Sequence, residues 1–462
     1  MIYVVVLAIV VLVLLTVTIL KTRSIRNKAD FMVAGRTLPW HVLVFTLLSS
    51  WIGAGSLFGG AENAYRNGFA SLWQPAGGWL GLIVIAFIAG RARRFAQFTV
   101  PDLLETRYNA TARVLGSIAI VVSCIVITSY QFIGGGDILH LIFPEIQKTT
   151  GMYIIAAFVI LFTAAAGMAS VAYLDLVIGG MVTITVIIAV PLLLERVGGW
   201  SQVRASLPED HFQLLGHLTI WQALGFTIPT MLLLIGNQGM YQKFFSARSE
   251  RDARLAVFGW IAGALLLETL LVTLAVIGSS TFKLENPREI LPATAKLGLP
   301  PLLGAILLGG MFAKVISTAN NYLFSPSTNI VHDVYARFID REASEQKTLV
   351  VSRLTVVVLG LFALLQGAYF KSILAAALYA YTIYGAAVTP SVMAVFFWKR
   401  ATTQGAVASI FLGTIVTIAW QWSGSDIDAI YPALAASLAA LIFVSLFTPP
   451  PAPEKIKPFF ES

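Results

Sequence analysis

Residues 51–56 read Trp-Ile-Gly-Ala-Gly-Ser and lie in the middle of a long apolar run, 40–65. Glycines weaken a helix, so this stretch predicts a helix that breaks part-way along its length. A second apolar run, 218–241, offers two breaks, at Thr-Ile-Pro-Thr (227–230) and at Gly-Asn-Gln-Gly (236–239). In a bilayer, non-helical backbone is tolerated only where it is buried in protein or lines a cavity. Two interrupted helices therefore predict a solute and ion site between them, unless the glycines serve only close helix packing.

Composition places the rest of the chain in a membrane. Of its 462 residues, 57% are hydrophobic and 12% are charged, whereas soluble domains carry about 25% charged residues. A helix needs about 20 apolar residues to cross a hydrocarbon core of about 30 Å. Thirteen such spans are predicted, at 2–20, 40–65, 72–90, 114–141, 152–168, 174–194, 218–241, 255–277, 301–329, 349–370, 373–397, 406–420 and 430–447. The first is expected to stay as a membrane helix, since basic residues follow it rather than precede it.

The basic residues predict the orientation of these spans. Of 31 lysines and arginines, 22 fall in one set of alternate loops, 8 in the other set, and the last is Lys314 inside a span. The rich side is expected to be cytoplasmic, which places the N-terminus outside and the C-terminus inside the plasma (inner) membrane. The net charge of +8 therefore reflects topology, and no nucleic-acid partner is expected.

The loops are too short for a soluble domain, so we predict one transmembrane domain over 1–448, a short cytoplasmic tail at 449–462 and a functional monomer in the lipid bilayer. If spans two to six form one repeat (about 40–196) and spans seven to eleven a second (about 218–398), the two interrupted helices begin the two repeats. Interrupted helices at corresponding positions are typical of secondary transporters. The single cysteine, Cys124, excludes an intrachain disulfide.

Three ionisable residues lie deep in the predicted spans: Asp175, Glu268 and Lys314. A charge at the centre of a bilayer costs about 2.5–3.5 kcal/mol on insertion scales, so such residues usually mark an ion or substrate path. Glu268 and Lys314 are candidates for coupling. The alternative is a buried pair between them that only locks two helices together.

Three further motifs carry a family resemblance. Residues 97–108 read Gln-Phe-Thr-Val-Pro-Asp-Leu-Leu-Glu-Thr-Arg-Tyr, Asn237-Gln238 precedes Gln242-Lys243, and Pro390 precedes Phe-Trp-Lys-Arg at 397–400. In this order they resemble the sodium:solute symporter family, whose members carry sugars, proline, sialic acid, pantothenate or monocarboxylates. The resemblance implies an all-α polytopic fold with a five-plus-five inverted repeat of the leucine-transporter type, one helix before it and two after it.

The same resemblance implies a sodium site, with no organic cofactor. Backbone carbonyls are expected from Ser49 and Ile52, hydroxyls from Ser317 and Thr318, and a carboxylate from Asp175. Sodium is a hard cation, so oxygen ligands at a helix break suit it. The alternative is ordinary helix polarity, because Ser and Thr in a helix often bond the preceding turn.

Departures from the family pattern concern the coupling ion. Lys314 stands three residues before Ser317, on the same helix face. Either it turns toward Glu268 and sodium binds, or its ammonium group replaces sodium and transport is proton-coupled or uncoupled. Asn320 and Asn321 stand where members with a second sodium carry hydroxyls, so one ion site is expected.

The solute is expected between the interrupted helices. Candidate lining residues are Ser56, Gln74, Gln131, Thr230, Tyr381 and Tyr384. Thr230 replaces an asparagine of sugar carriers, Leu233 replaces a gate tyrosine, and the fourth span lacks the arginine by which sialic-acid carriers hold a carboxylate. We therefore predict cation-coupled uptake, with sodium as the expected cation, of a small solute such as an amino acid or organic acid. A solute sensor or an intramembrane enzyme is disfavoured, because the chain lacks an output domain and a His-Glu-x-x-His motif.

Overall fold

The computed structural model describes residues 1–22, 28–95, 98–165, 168–370 and 372–460, and the regular elements in these ranges are helical. In these ranges, Leu38 and Ala247 form an isolated parallel β-bridge. Four residues used above for the topology or the motifs lie outside the described residues: Arg23, Arg26, Gln97 and Lys371.

The first half of the chain forms ten helices. They are α1 (Ile2–Thr22), α2 (Lys28–Val33), α3 (Trp40–Trp51), α4 (Ala61–Asn67), α5 (Trp73–Phe95), α6 (Val100–Arg107), α7 (Ala110–Ile142), α8 (Lys148–Ala165), α9 (Met168–Arg196) and α10 (Gly199–Ser206). A π-helical segment, Gly55–Gly60, connects the break after α3 to α4. The side chains of Thr99 and Asn109 accept from backbone N–H groups and so begin α6 and α7.

The second half repeats this pattern and adds two long helices and a short one. The helices are α11 (Ile220–Gly236), α12 (Gln238–Ser246), α13 (Glu250–Thr281), α14 (Ile290–Ala293), α15 (Pro301–Thr328), α16 (Glu345–Gly367), α17 (Ile373–Ala387), α18 (Thr389–Phe397), α19 (Thr403–Ser423), α20 (Ile430–Phe447) and α21 (Pro453–Phe460). The corresponding core helices of the two repeats therefore begin with α3 and α11.

The membrane-spanning helices agree with the predicted spans. Among the described residues, ten helices are long and apolar enough to cross a membrane, or eleven if α17 and α18, bent by 40°, count as one span. Two shorter apolar helices, Ile2–Val17 and Trp40–Trp51, correspond to the first predicted span and to the first part of the second. One of the ten is the continuous helical segment Gly55–Phe95, which contains both the remainder of the second predicted span and the third predicted span.

Both repeats begin with a broken helix. α3 ends at Trp51, and Ile52 is extended, with φ −92° and ψ 96°. α11 ends at Gly236, and Asn237 is extended, with φ −60° and ψ 111°. The prediction of an additional break at 227–230 was wrong, because α11 runs through Pro229 to Gly236.

Two threonine hydroxyls form hydrogen bonds next to Pro229, in this continuous part of α11. Thr227 donates to the carbonyl of Ala223 at 2.9 Å and to that of Trp73 at 2.7 Å, and Thr230 donates to Phe226 at 2.7 Å. These bonds tie the turn around the proline to its own helix and to α5. A proline removes one backbone donor, and neighbouring Ser and Thr side chains can compensate for it in a membrane helix.

The short C-terminal segment folds back on the helix bundle. In α21, Phe459 is buried and stacks on Phe95 of α5 with ring centroids 4.4 Å apart. Lys455 donates to the carbonyl of Glu105, in α6, at 3.4 Å. The segment predicted as a tail is therefore docked at the same end of the bundle as the arginine-rich loop that follows α5.

Candidate functional site

Asp175 of α9 lies at the centre of a buried polar cluster beside the first break. Thr46 of α3 donates to Asp175 Oδ2 at 2.5 Å, and Ser317 of α15 donates to Oδ1. Asp175 and Thr46 are fully buried, and Ser317 is nearly so. Three helices from both repeats thus meet on one carboxylate.

The neighbouring hydroxyl, Thr318, reaches the end of the broken helix. Thr318 Oγ1 donates to the carbonyl of Ser49 at 3.1 Å. Gly53 makes this approach possible, since a Cβ atom there would stand 2.6 Å from Thr318 Oγ1. The hydroxyl of Ser49 is buried and has no hydrogen-bond partner among the described residues, while Ile52 is buried at the break itself. Of the groups predicted to bind sodium, the structure therefore brings Thr318 to the carbonyl of Ser49 and Ser317 to Asp175.

Two buried lysines flank this cluster. Lys314 is fully buried, and its Nζ has no hydrogen-bond partner in the described parts of the chain. Lys243, which the topology prediction assigned to a cytoplasmic loop, is also fully buried in α12; it donates to Ser50 and, at 2.8 Å, to Asn321 Oδ1. Both ammonium groups lie within electrostatic reach of Asp175.

From the sequence, Lys243 was not predicted to be buried next to the Asp175 cluster. The signal that could have found it was its place six residues after the break at Asn237, just beyond the predicted span 218–241. Its two hydrogen-bond partners come from α3 and α15, so their identity required the three-dimensional packing.

Glu268 of α13 does not pair with Lys314. Its Oε1 accepts from Trp51 Nε1 at 2.9 Å, and its Oε2 accepts from Trp79 Nε1 at 2.8 Å. The alternative left open above, a Glu268–Lys314 pair, is therefore not formed. The reason is that Trp51, at the end of α3, and Trp79, on α5, place their indole N–H groups against both carboxylate oxygens.

A cavity lies beside Glu268, between the first broken helix and α11. It encloses about 30 Å³ in this conformation, so it has to widen to admit a whole small-molecule solute. Four of the six predicted solute residues line it: Ser56, Gln74, Thr230 and Tyr381. Glu268 and Trp51 line it as well.

The other two predicted solute residues lie at the helix breaks. Gln131 Oε1 accepts from the backbone N–H of Ala54 at 2.7 Å, just after the first break. The Tyr384 hydroxyl accepts from the backbone N–H of Gln238 at 2.8 Å, at the start of α12. Broken helices leave backbone donors without partners, and these two side chains satisfy them. The structure thus places Gln131 and Tyr384 as caps of the breaks rather than in the cavity wall.

The first of the three family motifs contacts the other two. Arg107 donates to the carbonyls of Lys399 at 2.9 Å and Ala401 at 3.1 Å, which joins the loop after α5 to the segment after α18. The backbone N–H of Val100 donates to Gln238 Oε1 at 3.3 Å, which joins the same loop to the second break. Residues that were far apart in sequence therefore form one layer at this end of the bundle.

A charged cluster lies in the same layer. Arg113 donates to Asp102 Oδ1 at 2.5 Å, to Asp333 Oδ1 at 2.6 Å and to Glu105. Asp102 Oδ2 lies 3.1 Å from His332 Nε2. Burial disfavours the charge of Asp102, but His332, Arg113 and the N–H of Phe98 together lower the pKa of Asp102 to about 2.

Comparison of the sequence with known families and proteins gives a consistent result. A sequence model of the sodium:solute symporter family matches residues 31–413. The high-affinity proline transporter PutP of Bacillus subtilis is 26% identical, over 92% of this chain and 94% of that protein. The sodium/proline symporter of Salmonella typhimurium is 26% identical, over 93% of this chain and 90% of that protein.

Comparison of the structure gives the fold. A Na⁺-coupled sialic acid symporter, solved in a substrate-bound outward-open state, superposes with a TM-score of 0.86 at 16% identity over 97% of this chain and 98% of that one. Mhp1, a nucleobase-cation-symport-1 family transporter, gives 0.61 at 11% identity over 94% and 99%. MhsT, solved with L-phenylalanine, gives 0.55 at 14% identity over 88% and 98%. The predicted leucine-transporter-type fold is confirmed.

Proposed function

Because this chain belongs to the sodium:solute symporter family, we propose that it takes up a small amino acid in symport with sodium, by alternating access. It is a transporter and not an enzyme. The observation that carries the proposal is a pair of contacts made by adjacent hydroxyls of α15 near the first break: Ser317 donates to Asp175, and Thr318 donates to the carbonyl of Ser49. Sodium prefers oxygen ligands, and a carbonyl freed at a helix break is one.

The amino-acid part of the proposal rests on the cavity and on the relatives. The cavity combines apolar walls with a few polar groups, such as Gln74 and Thr230, which suits a small, partly apolar solute. Two relatives with 26% identity are named for proline transport, and we take proline as the first candidate. An organic acid is the alternative within the same size class.

Coupling to sodium would make such uptake concentrative. One cation entering down a membrane potential of about 100 mV gains about 2.3 kcal/mol, and a tenfold sodium gradient adds about 1.4 kcal/mol. Together these support accumulation of a neutral solute by several-hundred-fold.

The orientation that we propose has the N-terminus outside and the C-terminus in the cytoplasm, in a monomer. It is supported by the contact of Lys455, in α21, with the carbonyl of Glu105. This contact puts the C-terminal helix on the side of the arginine-rich loop, and basic loops remain on the cytoplasmic side.

Uptake into proteoliposomes tests the proposal. The purified protein is supplied with radiolabelled proline under an inward sodium gradient, and in a parallel sample potassium replaces sodium at the same pH and the same membrane potential. We expect accumulation with sodium and only equilibration without it. Equal uptake in the two samples would overturn the sodium coupling.

A second candidate mechanism is favoured by Lys314. Its buried Nζ has no hydrogen-bond partner among the described residues, and it acts electrostatically on Asp175 beside the proposed ion site. If this ammonium group takes the place of sodium, transport is proton-coupled or uncoupled. Sodium-independent uptake that disappears in Lys314→Ala would support this mechanism.

A further inference from the structure

The carboxylate of Glu268 lines the cavity and is held there by two indoles. Glu268 is 5% exposed, and its side chain reaches the cavity from α13. Each of its oxygens accepts one indole N–H, from Trp51 and from Trp79. A carboxylate offers about four acceptor positions, so two remain for another donor. The two tryptophans fix the direction of the group without neutralising it.

Glu268 has no cationic partner within the protein. Among the described residues, no lysine, arginine or histidine forms an ion pair with it; the nearby buried Asp175, in contrast, lies within electrostatic reach of Lys243 and Lys314. Carboxylates in the membrane interior are normally paired, because an isolated charge there is costly. When Glu268 is ionised, a cationic partner for it therefore has to come from the cavity.

The remaining cavity wall also suits a donor with positive charge. Gln74 Oε1 is buried, lines the same cavity and has no hydrogen-bond partner in the described parts of the chain. The aromatic side chains of Trp51 and Tyr381 contribute to the wall, and aromatic faces attract cations. The cavity thus combines a carboxylate, an unused amide oxygen and aromatic rings, and none of the cavity-lining residues is a lysine or an arginine.

We propose that Glu268 binds the positively charged nitrogen of the transported solute, and that Gln74 Oε1 accepts a second N–H of the same group. The site then selects solutes with an ammonium group, such as zwitterionic amino acids, over organic acids of the same shape. This inference rests on the proposed function and narrows its substrate class. Glu268 becomes a substrate-binding residue rather than part of the ion-coupling machinery.

Matched pairs of probes test the charge requirement. L-Proline is paired with tetrahydrofuran-2-carboxylate, in which oxygen replaces the ring ammonium, and L-alanine is paired with lactate. Each competes with a labelled amino acid for sodium-driven uptake into proteoliposomes, and each is assayed for thermal stabilisation of the protein in detergent. We expect the ammonium member of a pair to bind about 100-fold more tightly, since a site built to bind a donor strongly rejects an analogue that lacks it.

The variant Glu268→Gln keeps the shape of the side chain and removes its charge. We expect it to raise the half-saturating proline concentration at least about tenfold, by loss of a charged hydrogen bond, and to narrow the difference within each probe pair. Sodium-induced thermal stabilisation should persist, because the proposed ion site lies at Asp175. Glu195→Gln is the control, since Glu195 is exposed at the end of α9.

Three results would overturn the inference. The first result is that proline and alanine bind the wild-type protein no better than tetrahydrofuran-2-carboxylate and lactate, respectively. This comparison requires only the wild-type protein. Another is that Glu268→Gln keeps the full preference for ammonium, which would leave Glu268 as an anchor for the two indoles. The third is unchanged proline binding with an altered pH dependence of uptake, which would make Glu268 a proton carrier. Failure of the proposed function is distinct, because it shows as absent sodium stimulation in the wild type.

Discussion

Thr318 and Ser49 meet across the two repeats: the hydroxyl of Thr318, on α15, donates to the carbonyl of Ser49, on α3, at 3.1 Å. Ser317, the residue before Thr318, donates to Asp175 on α9. One short stretch of the second repeat therefore holds two helices of the first. A motion that separates α15 from α3 also separates the groups of the proposed ion site. Ion binding can be coupled to alternating access in this way.

The first prediction concerns the Thr318 hydroxyl. We expect Thr318→Ala to raise the half-saturating sodium concentration for uptake about tenfold, because a hydrogen bond or ligand to a charged group contributes about 1.5–3 kcal/mol. Sodium titration of uptake measures this. The control is Thr417→Ala, a buried hydroxyl that bonds Gly413 within its own helix, α19. An unchanged sodium dependence in Thr318→Ala would show that the hydroxyl is not a ligand.

The second prediction concerns the space at Gly53. A Cβ atom at this position would stand 2.6 Å from Thr318 Oγ1, closer than real contacts allow, so α3 and α15 would have to move apart. We expect Gly53→Ala to abolish sodium stimulation of uptake. Gly180→Ala in α9 is the control, because a Cβ atom there meets nothing within 4 Å. Normal sodium stimulation in Gly53→Ala would contradict the placement of the ion site at this break.

How far the sequence predicts this site depends on what each residue contacts. The breaks at Ile52 and Asn237 follow from local glycines and from the apolar runs around them, and the structure has both. The grouping of Ser317 and Asp175 followed from spacing that resembles a family pattern, and the two are in contact. The two helix breaks and the Ser317–Asp175 contact depend on the course of the backbone. The pattern of hydrophobic and small residues determines that course.

The partners of long side chains could not be predicted in the same way. A pair between Glu268 and Lys314 was one alternative for two charges deep in the predicted spans, yet Glu268 bonds Trp51 and Trp79. Gln131 is a polar residue on a core helix, as Gln74 is, but it caps the backbone at Ala54 while Gln74 lines the cavity. Which neighbour a side chain meets depends on the rotation and packing of each helix, and a single sequence does not carry that information.

The third prediction concerns Lys314. If sodium binds beside Asp175, an ammonium group in the same field opposes it, so we expect Lys314→Met to lower the half-saturating sodium concentration. Methionine keeps the length of the side chain and removes the charge. Sodium titration of proline uptake measures the effect, with Lys296→Met, outside the Asp175 cluster, as the control. Loss of a sodium-independent uptake in Lys314→Met would instead support the cation-surrogate mechanism.

The fourth prediction concerns the layer formed by the three family motifs. Arg107 is nearly fully buried and donates to the carbonyls of Lys399 and Ala401 through one nitrogen of its planar head. Both bonds run through Nη2 at the tip of the guanidinium, which the shorter lysine side chain does not reach, so Arg107→Lys leaves the two carbonyls without this donor. We expect a loss of about 1–3 kcal/mol of stability, from buried groups left without partners, visible as a lower melting temperature in detergent. Arg353→Lys, at an exposed position of α16, should leave the melting temperature unchanged.

The last prediction is the pH dependence of the charged cluster around Asp102, which faces Arg113 and His332 and lies beside Asp333. The pKa of Asp102 is lowered from 3.8 to about 2, so its charged form is favoured by folding. A lowered carboxylate pKa contributes stability above the unfolded value, and that contribution is lost as the pH falls from about 4 toward about 2. The shift corresponds to roughly 2 kcal/mol at neutral pH.

Asp102→Asn should therefore be less stable than the wild type at pH 7, and the difference in melting temperature should shrink below about pH 4, where the wild-type carboxylate takes up its proton. Asp426→Asn, at an exposed position between α19 and α20, is the control and should follow the wild type at every pH. A difference for Asp102→Asn that stays constant down to pH 2 would mean that the amide disturbs packing, and that the charge of Asp102 contributes nothing to the stability of this layer.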